Sequence, residues 1–153
     1  MLPTMTTSRF PMPLAARRRR WLACALLAVA LPAAAADPVV STEPGSPARA
    51  YLDLRAAVAK ATSPDAVLPH LSATYRRVVT GLPAAERDGW LQRLKRVPPP
   101  GVKIQAQAVA GDRCALGAVA RDSAHVKWSG RVELVREGGA WKLADETWRS
   151  EQR

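Results

Sequence analysis

Between Val102 and Trp148 the apolar and polar positions fall into a repeated two-residue alternation. In Val102-Lys103-Ile104-Gln105-Ala106-Gln107-Ala108 the alternation is strict, the pattern of a pleated strand with one dry face. Gly111-Asp112 comes next, and both residue types tolerate turn dihedrals. From Arg113 to Arg121, Cys114, Leu116, Ala118 and Ala120 share one face. Asp122-Ser123-Ala124 forms a second turn. From His125 to Arg136, Val126, Trp128, Gly130, Val132 and Leu134 take one face, and Lys127, Ser129, Arg131 and Glu133 the other. Gly138-Gly139 makes a third turn, after which Trp141 and Leu143 return to the dry face and Trp148 closes the run. The pattern predicts a four-stranded antiparallel meander, with Trp141 anchoring its last hairpin in the core.

Upstream the period changes to that of helices. Ser46-Pro47 opens one, with Ser as N-cap and Pro in the first turn. Tyr51, Leu54, Val58 and Ala61 recur at helical spacing and are expected to face the sheet. Asp53, Arg55 and Lys60 are expected to face water. Ser63-Pro64-Asp65 repeats the start signal, but Pro69 interrupts the helical run beyond it. The spacing predicts a second helix over Pro69–Val79, with Leu71, Tyr75 and Val78 on one face and Gly81 as its stop. A third starts near Pro83. Its stripe is Trp90, Leu91 and Leu94, with acids at its positive end and Arg93, Lys95 and Arg96 at its negative end. Pro98-Pro99-Pro100-Gly101 ends it. Helices ahead of an antiparallel sheet give an α+β class, with the helices covering one sheet face.

Charge changes the picture at the N-terminus only. The chain of 153 residues has a formal charge of +10, but residues 1–36 hold five Arg and no acid. Residues 37–153 hold 18 basic and 13 acidic side chains, a mixed surface that does not indicate a nucleic-acid partner. Arg17-Arg18-Arg19-Arg20 precedes an apolar run from Trp21 to Leu31, then Pro32 and four alanines. A basic head, an apolar core and a small-residue end are the parts of a secretory signal. Cleavage is expected between Ala36 and Asp37, giving a periplasmic or secreted protein. The run from Trp21 to Ala36, interrupted by Pro32, is short of the ~20 residues of a spanning helix, so no membrane span is expected after cleavage. The domain reading is therefore 1–36 signal, 37–45 leader, 46–149 one α+β domain and 150–153 tail. Cys24 sits too early in the apolar core to serve for lipid attachment. Cys114 is then alone, without a disulfide partner, and reads as a small core hydrophobe.

Candidate chemistry is sparse. His70 and His125 lie far apart beside a proline and a turn and read as surface or capping residues. No metal-ligand cluster or phosphate loop is present in the pattern, and no cofactor is implied. Tyr51 and Tyr75 read as core aromatics with wet hydroxyls. Trp148, Trp128 and Tyr75 are the candidate ligand-binding residues.

Ser46-Pro47 ahead of Tyr51-Leu52, the middle helix, and the closing Val132-Glu133-Leu134-Val135-Arg136-Glu137-Gly138-Gly139-Ala140-Trp141-Lys142-Leu143 resemble small exported bacterial proteins of the nuclear transport factor 2-like superfamily. The resemblance covers roughly residues 46–149. It implies a cone: a curved four-stranded sheet wrapped around helices, often with a pocket at the open end. Members of that superfamily include enzymes and binders, so the fold does not decide function. Its isomerases use a pocket acid or His partnered by Tyr. The expected function is non-catalytic binding of a small apolar ligand or an envelope protein partner. The alternative is a small isomerase- or hydrolase-type enzyme, which a buried acid on the pocket floor would favour. A basic surface module for anionic lipid or polysaccharide is a third reading, which an exposed basic stripe would favour.

Overall fold

The computed structural model describes residues 40–151. The expected export signal, its cleavage point and Cys24 lie outside the described residues. Helix α1 spans Pro47–Lys60, capped by the Ser46 hydroxyl, which accepts from the Arg49 N–H at 3.2 Å. It buries Tyr51, Leu54 and Val58. The expected second helix is shorter than the spacing suggests. Two single 3₁₀ turns, Pro64–Ala66 and Leu68–His70, precede it, and the second takes up its expected start at Pro69. Pro69 lacks the donor that a continuous helix would need there, and its ring crowds the preceding turn. Helix α2 spans only Ala73–Thr80, capped by the Ser72 hydroxyl at 3.2 Å from the Tyr75 N–H. The shifted start changes its inner face: Val79 is buried and Val78 is exposed, against expectation. Helix α3 spans Ala84–Arg96 and buries Trp90, Leu91 and Leu94 as expected. No helix among the described residues is long and apolar enough to cross a membrane.

Strands β1 (Lys103–Ala110), β2 (Arg113–Arg121), β3 (Lys127–Glu137) and β4 (Ala140–Ser150) form one antiparallel sheet in sequence order. The class is α+β, with the helices packed on one face of a curved, unclosed sheet. Cys114 and Leu116 from β2, Val132 and Leu134 from β3, and Leu143 from β4 meet Tyr51, Leu54, Val58, Leu71 and Leu91 in one core. Burying one such aliphatic side chain contributes about 1.5–3 kcal/mol.

Two bulges change the facing of residues. In β1 the register shifts between Ile104 and Ala106. Beyond it Gln107 and Val109 pair with the inward-facing Leu116 and Cys114, so Ala106 and Ala108 turn to the outer face. The expected dry set of β1 therefore holds only as far as Ile104, because one extra residue inverts every facing after it. In β4 the pairing slips at Ala144, between Leu134↔Leu143 and Glu133↔Asp145. Trp141 and Leu143 face the helices before it, and Glu146 and Trp148 face them after it.

The β4 edge is held by the helical layer. Leu71 bridges Leu143, and the Ser72 N–H donates to the Leu143 carbonyl at 2.8 Å. The Glu137 carboxylate accepts from the Ala73 N–H at 2.9 Å, placing a negative group at the positive end of α2. Lys142 Nζ donates to the Pro69 carbonyl at 2.6 Å.

Candidate functional site

The β4 bulge carries Glu146 into the helix-covered side of the sheet. There α1 meets it with Tyr51 and, four residues on, Arg55. The Tyr51 hydroxyl donates to Glu146 Oε2 at 2.6 Å, and Trp148 Nε1 donates to the same oxygen at 3.3 Å. Arg55 Nη1 lies 3.7 Å from Glu146 Oε1. The Glu146 side chain is only 8% exposed and that of Arg55 13%. A buried carboxylate needs such partners, since its charge is costly to remove from water alone.

Arg55 also joins three elements. Its Nη2 donates to the Leu94 carbonyl at 2.9 Å and reaches the Pro98 carbonyl at 3.5 Å. It neutralises Glu146 while tying α1 to the end of α3, so the expectation that it faces water is corrected. The aliphatic stem fits the apolar face and the head finds carbonyls and a carboxylate. The Tyr51 hydroxyl is likewise not wet. Burial, and then the Glu146 charge, hold its phenol protonated far above the ordinary range.

Beside Glu146 a cavity of about 210 Å³ opens between α2, α3 and β4. Glu146 and Trp148 line it from the sheet, Tyr75 from α2, and Trp90, Arg93 and Leu94 from α3. Trp90 Nε1 donates to the Tyr75 hydroxyl at 3.2 Å. Their rings meet edge to face, 6.3 Å between centroids and 82° between planes, so the two walls stand nearly at right angles. Burial raises the Tyr75 pKa. Trp148 forms the third wall. Its indole lies against Gly130, where a Cβ would come within 2.6 Å of the ring. Glycine at that position is what lets the ring lie flat on the sheet.

Of the three candidate ligand-binding residues, Tyr75 and Trp148 thus line one cavity. Trp128 is placed elsewhere, donating from Nε1 to Asp122 Oδ2 at 3.2 Å beside the β2–β3 turn. The same Asp122 accepts from the Ala124 and Val126 N–H groups through Oδ1. His125 is exposed in that turn at φ 62°, and His70 is half-buried at the end of the second 3₁₀ turn. Neither lies at the cavity. Asp53 is exposed in an ion pair with Arg49 at 2.9 Å. The local sequence pattern does not mark Glu146 or Arg55 as site residues. A signal for Glu146 exists nonetheless: Leu143 and Trp148 are an odd number of residues apart, so both can face inward only across a bulge, which turns Glu146 in as well.

No family model and no curated protein matches the chain. Among solved structures it is similar to an NTF-2-like protein of unknown function from Silicibacter pomeroyi, at 17% identity and a TM-score of 0.34. That match covers 42% of this chain and 57% of the other, so it spans little more than half of that protein. An NTF2-like protein of unknown function from Shewanella baltica matches at 11% identity and a TM-score of 0.43, over 69% and 94% of the two chains. A SEC-C motif-containing protein from Rhodopseudomonas palustris matches at 15% identity and a TM-score of 0.49, over 67% and 78%.

Proposed function

We propose that residues 46–149 form an exported domain that binds a small, mostly apolar ligand in the cavity between α2, α3 and β4. The observation that carries this reading is the meeting of three aromatic walls, Tyr75, Trp90 and Trp148, at one cavity whose carboxylate, Glu146, is already held by Tyr51, Trp148 and Arg55. Apolar walls with few placed polar groups are the usual make-up of a ligand site. The ligand that fits is flat or ring-shaped, sized to lie against Trp148. The basic head, apolar core and alanine end of residues 1–36 support export. N-terminal sequencing of the exported protein should start at Asp37.

The test is untargeted mass spectrometry of what co-purifies with the protein isolated from its own cells. A small molecule enriched with the wild type and absent from the Trp148→Ala protein is expected. An equal yield from both proteins would rule out this cavity as the binding site.

An enzyme of isomerase or hydrolase type is a second reading, and buried Glu146 is the observation that favours it. Against it, Oε2 already accepts from Tyr51 and Trp148, and Oε1 faces Arg55. A general base needs a lone pair directed at the substrate proton. Conversion of the captured molecule by wild type, lost in Glu146→Gln while capture persists, would establish the enzyme reading instead.

A further inference from the structure

On the outer face of the sheet the fold gathers three cations around one concavity. It lies at the end where β1 begins and β2 meets β3, with a volume of about 450 Å³. Lys103, Arg121 and Lys127 line it, together with Gln105, Gly101 and Val119. Arg121 and Lys127 are direct cross-strand partners, and Lys103 pairs with Val119, two residues before Arg121. Like charges placed directly opposite destabilise a sheet. Their only carboxylate partner among the described residues is Glu151, which bridges Lys127 at 3.0 Å and accepts from the Ser129 hydroxyl. Asp122, next along the chain, is committed to its own turn and to Trp128. Arg121 Nη1 donates to the His125 carbonyl at 3.2 Å, which fixes the guanidinium at the rim. Two neighbouring basic residues differ: Arg131 is paired with Glu133 at 3.0 Å, and Arg149 sits across from Ser129 on the far strand.

We propose that this concavity binds a phosphate group, carried either by a free anion or by a lipid headgroup. Three donors of positive charge converge on a space larger than one phosphate, and only one acid competes for them. Phosphate accepts several charge-assisted hydrogen bonds at once, which suits a mixed Lys and Arg set. The site is separate from the aromatic cavity, on the opposite face of the sheet, and does not depend on its ligand.

The experiment is titration of the isotopically labelled protein, monitored by amide NMR, against chloride controls of equal ionic strength. Inorganic phosphate is one arm, and a short-chain phosphatidic acid below its micelle concentration is the other. Saturable shifts at Gly101, Lys103, Arg121 and Lys127 are expected in at least one arm. Shifts in both arms identify the free group as sufficient, and shifts in the lipid arm alone identify the headgroup. Lys103→Gln combined with Lys127→Gln should weaken binding by about tenfold or more, the effect of losing a charge-assisted contact. Glu151→Gln should tighten it, because the competing carboxylate is gone. Arg131→Gln should leave it unchanged. Shifts matched by chloride, absence of saturation in both arms, or equal affinity in all variants would overturn the proposal.

Discussion

Tyr51 and Glu146 depend on one another. The carboxylate needs the phenol as a donor, and the phenol is kept protonated by its burial and by that carboxylate. Tyr51→Phe should therefore cost about 1.5–3 kcal/mol, the range for a hydrogen bond to a charged group. Urea unfolding would measure this, and an unchanged midpoint would mean that the bond contributes nothing. The pH dependence has a definite sign. A folded-state pKa above the unfolded one gives stability that is complete below the unfolded value, ~10 for a phenol, and declines above it. Tyr51 and Tyr75 are the only tyrosines in the chain, and both are raised. No phenolate absorbance should then appear near pH ~10 in the native protein. It should appear at higher pH, together with unfolding. A free-phenol titration without loss of structure would contradict the burial of both.

Cys114 presents a related case. Its thiol is buried under the helices, and burial raises its pKa. The thiolate is the reactive form, so labelling should be slow in the native state and fast in urea. Rapid native labelling, mapped to this residue by peptide mass, would show that β2 opens in solution.

Among the secondary-structure elements, the β3–β4 hairpin positions the aromatic cavity. Gly130 and Trp148 are cross-strand partners, and the indole occupies the space where a Cβ would stand. Gly130→Ala should push the ring off the sheet and cost about 1–3 kcal/mol, the range for overpacking. Because the ring would swing toward the cavity, ligand capture should fall with stability. Full capture by the variant would mean that Trp148 is not a wall of the site. Trp141 behaves differently. It is half-buried, with the Arg136 guanidinium 5.9 Å from its ring centroid, at the edge of the core rather than inside it. The ~3–5 kcal/mol that truncating a fully buried aromatic costs is therefore too large here. Trp141→Ala should cost about 2 kcal/mol by partial burial, measured as a shift in the urea midpoint.

A complete domain of this size is stable by about 5–15 kcal/mol, so single changes at its surface should leave it folded. His125 is exposed and His70 is half-buried, and both should tolerate Ala with little change in melting temperature. His70 makes a small contribution on the acid side. Burial, and then Lys142, lower its pKa below the ordinary value. A lowered pKa gives stability that is present above the unfolded value of ~6.5 and is lost as pH falls through the folded one. The His70→Ala protein should lose less stability than wild type across that interval. Identical acid unfolding curves would show that the ring is fully solvated.

Local pattern is enough for the elements and the class. Two-residue alternation between turn pairs is produced by any sheet with one wet face, and Ser-Pro starts and apolar stripes define α1 and α3 locally. The α+β layering comes with them, because each apolar stripe must be covered. Strand pairing and docking settle the rest. The β1 bulge leaves no trace in a strict alternation, since only contact with β2 forces the extra residue. The α2 start departs from its local signal because Pro69 interrupts the helical period, and docking of Leu71 against β4 fixes the outcome. The site belongs with these long-range features. Tyr51 and Glu146 are 95 positions apart. Nothing local to either marks the other, and Arg55 reads as a solvent-facing residue until the end of α3 supplies carbonyls for it. Such contacts are set only in the folded chain, because the cost of burying a charge is offset only where distant segments bring partners to it.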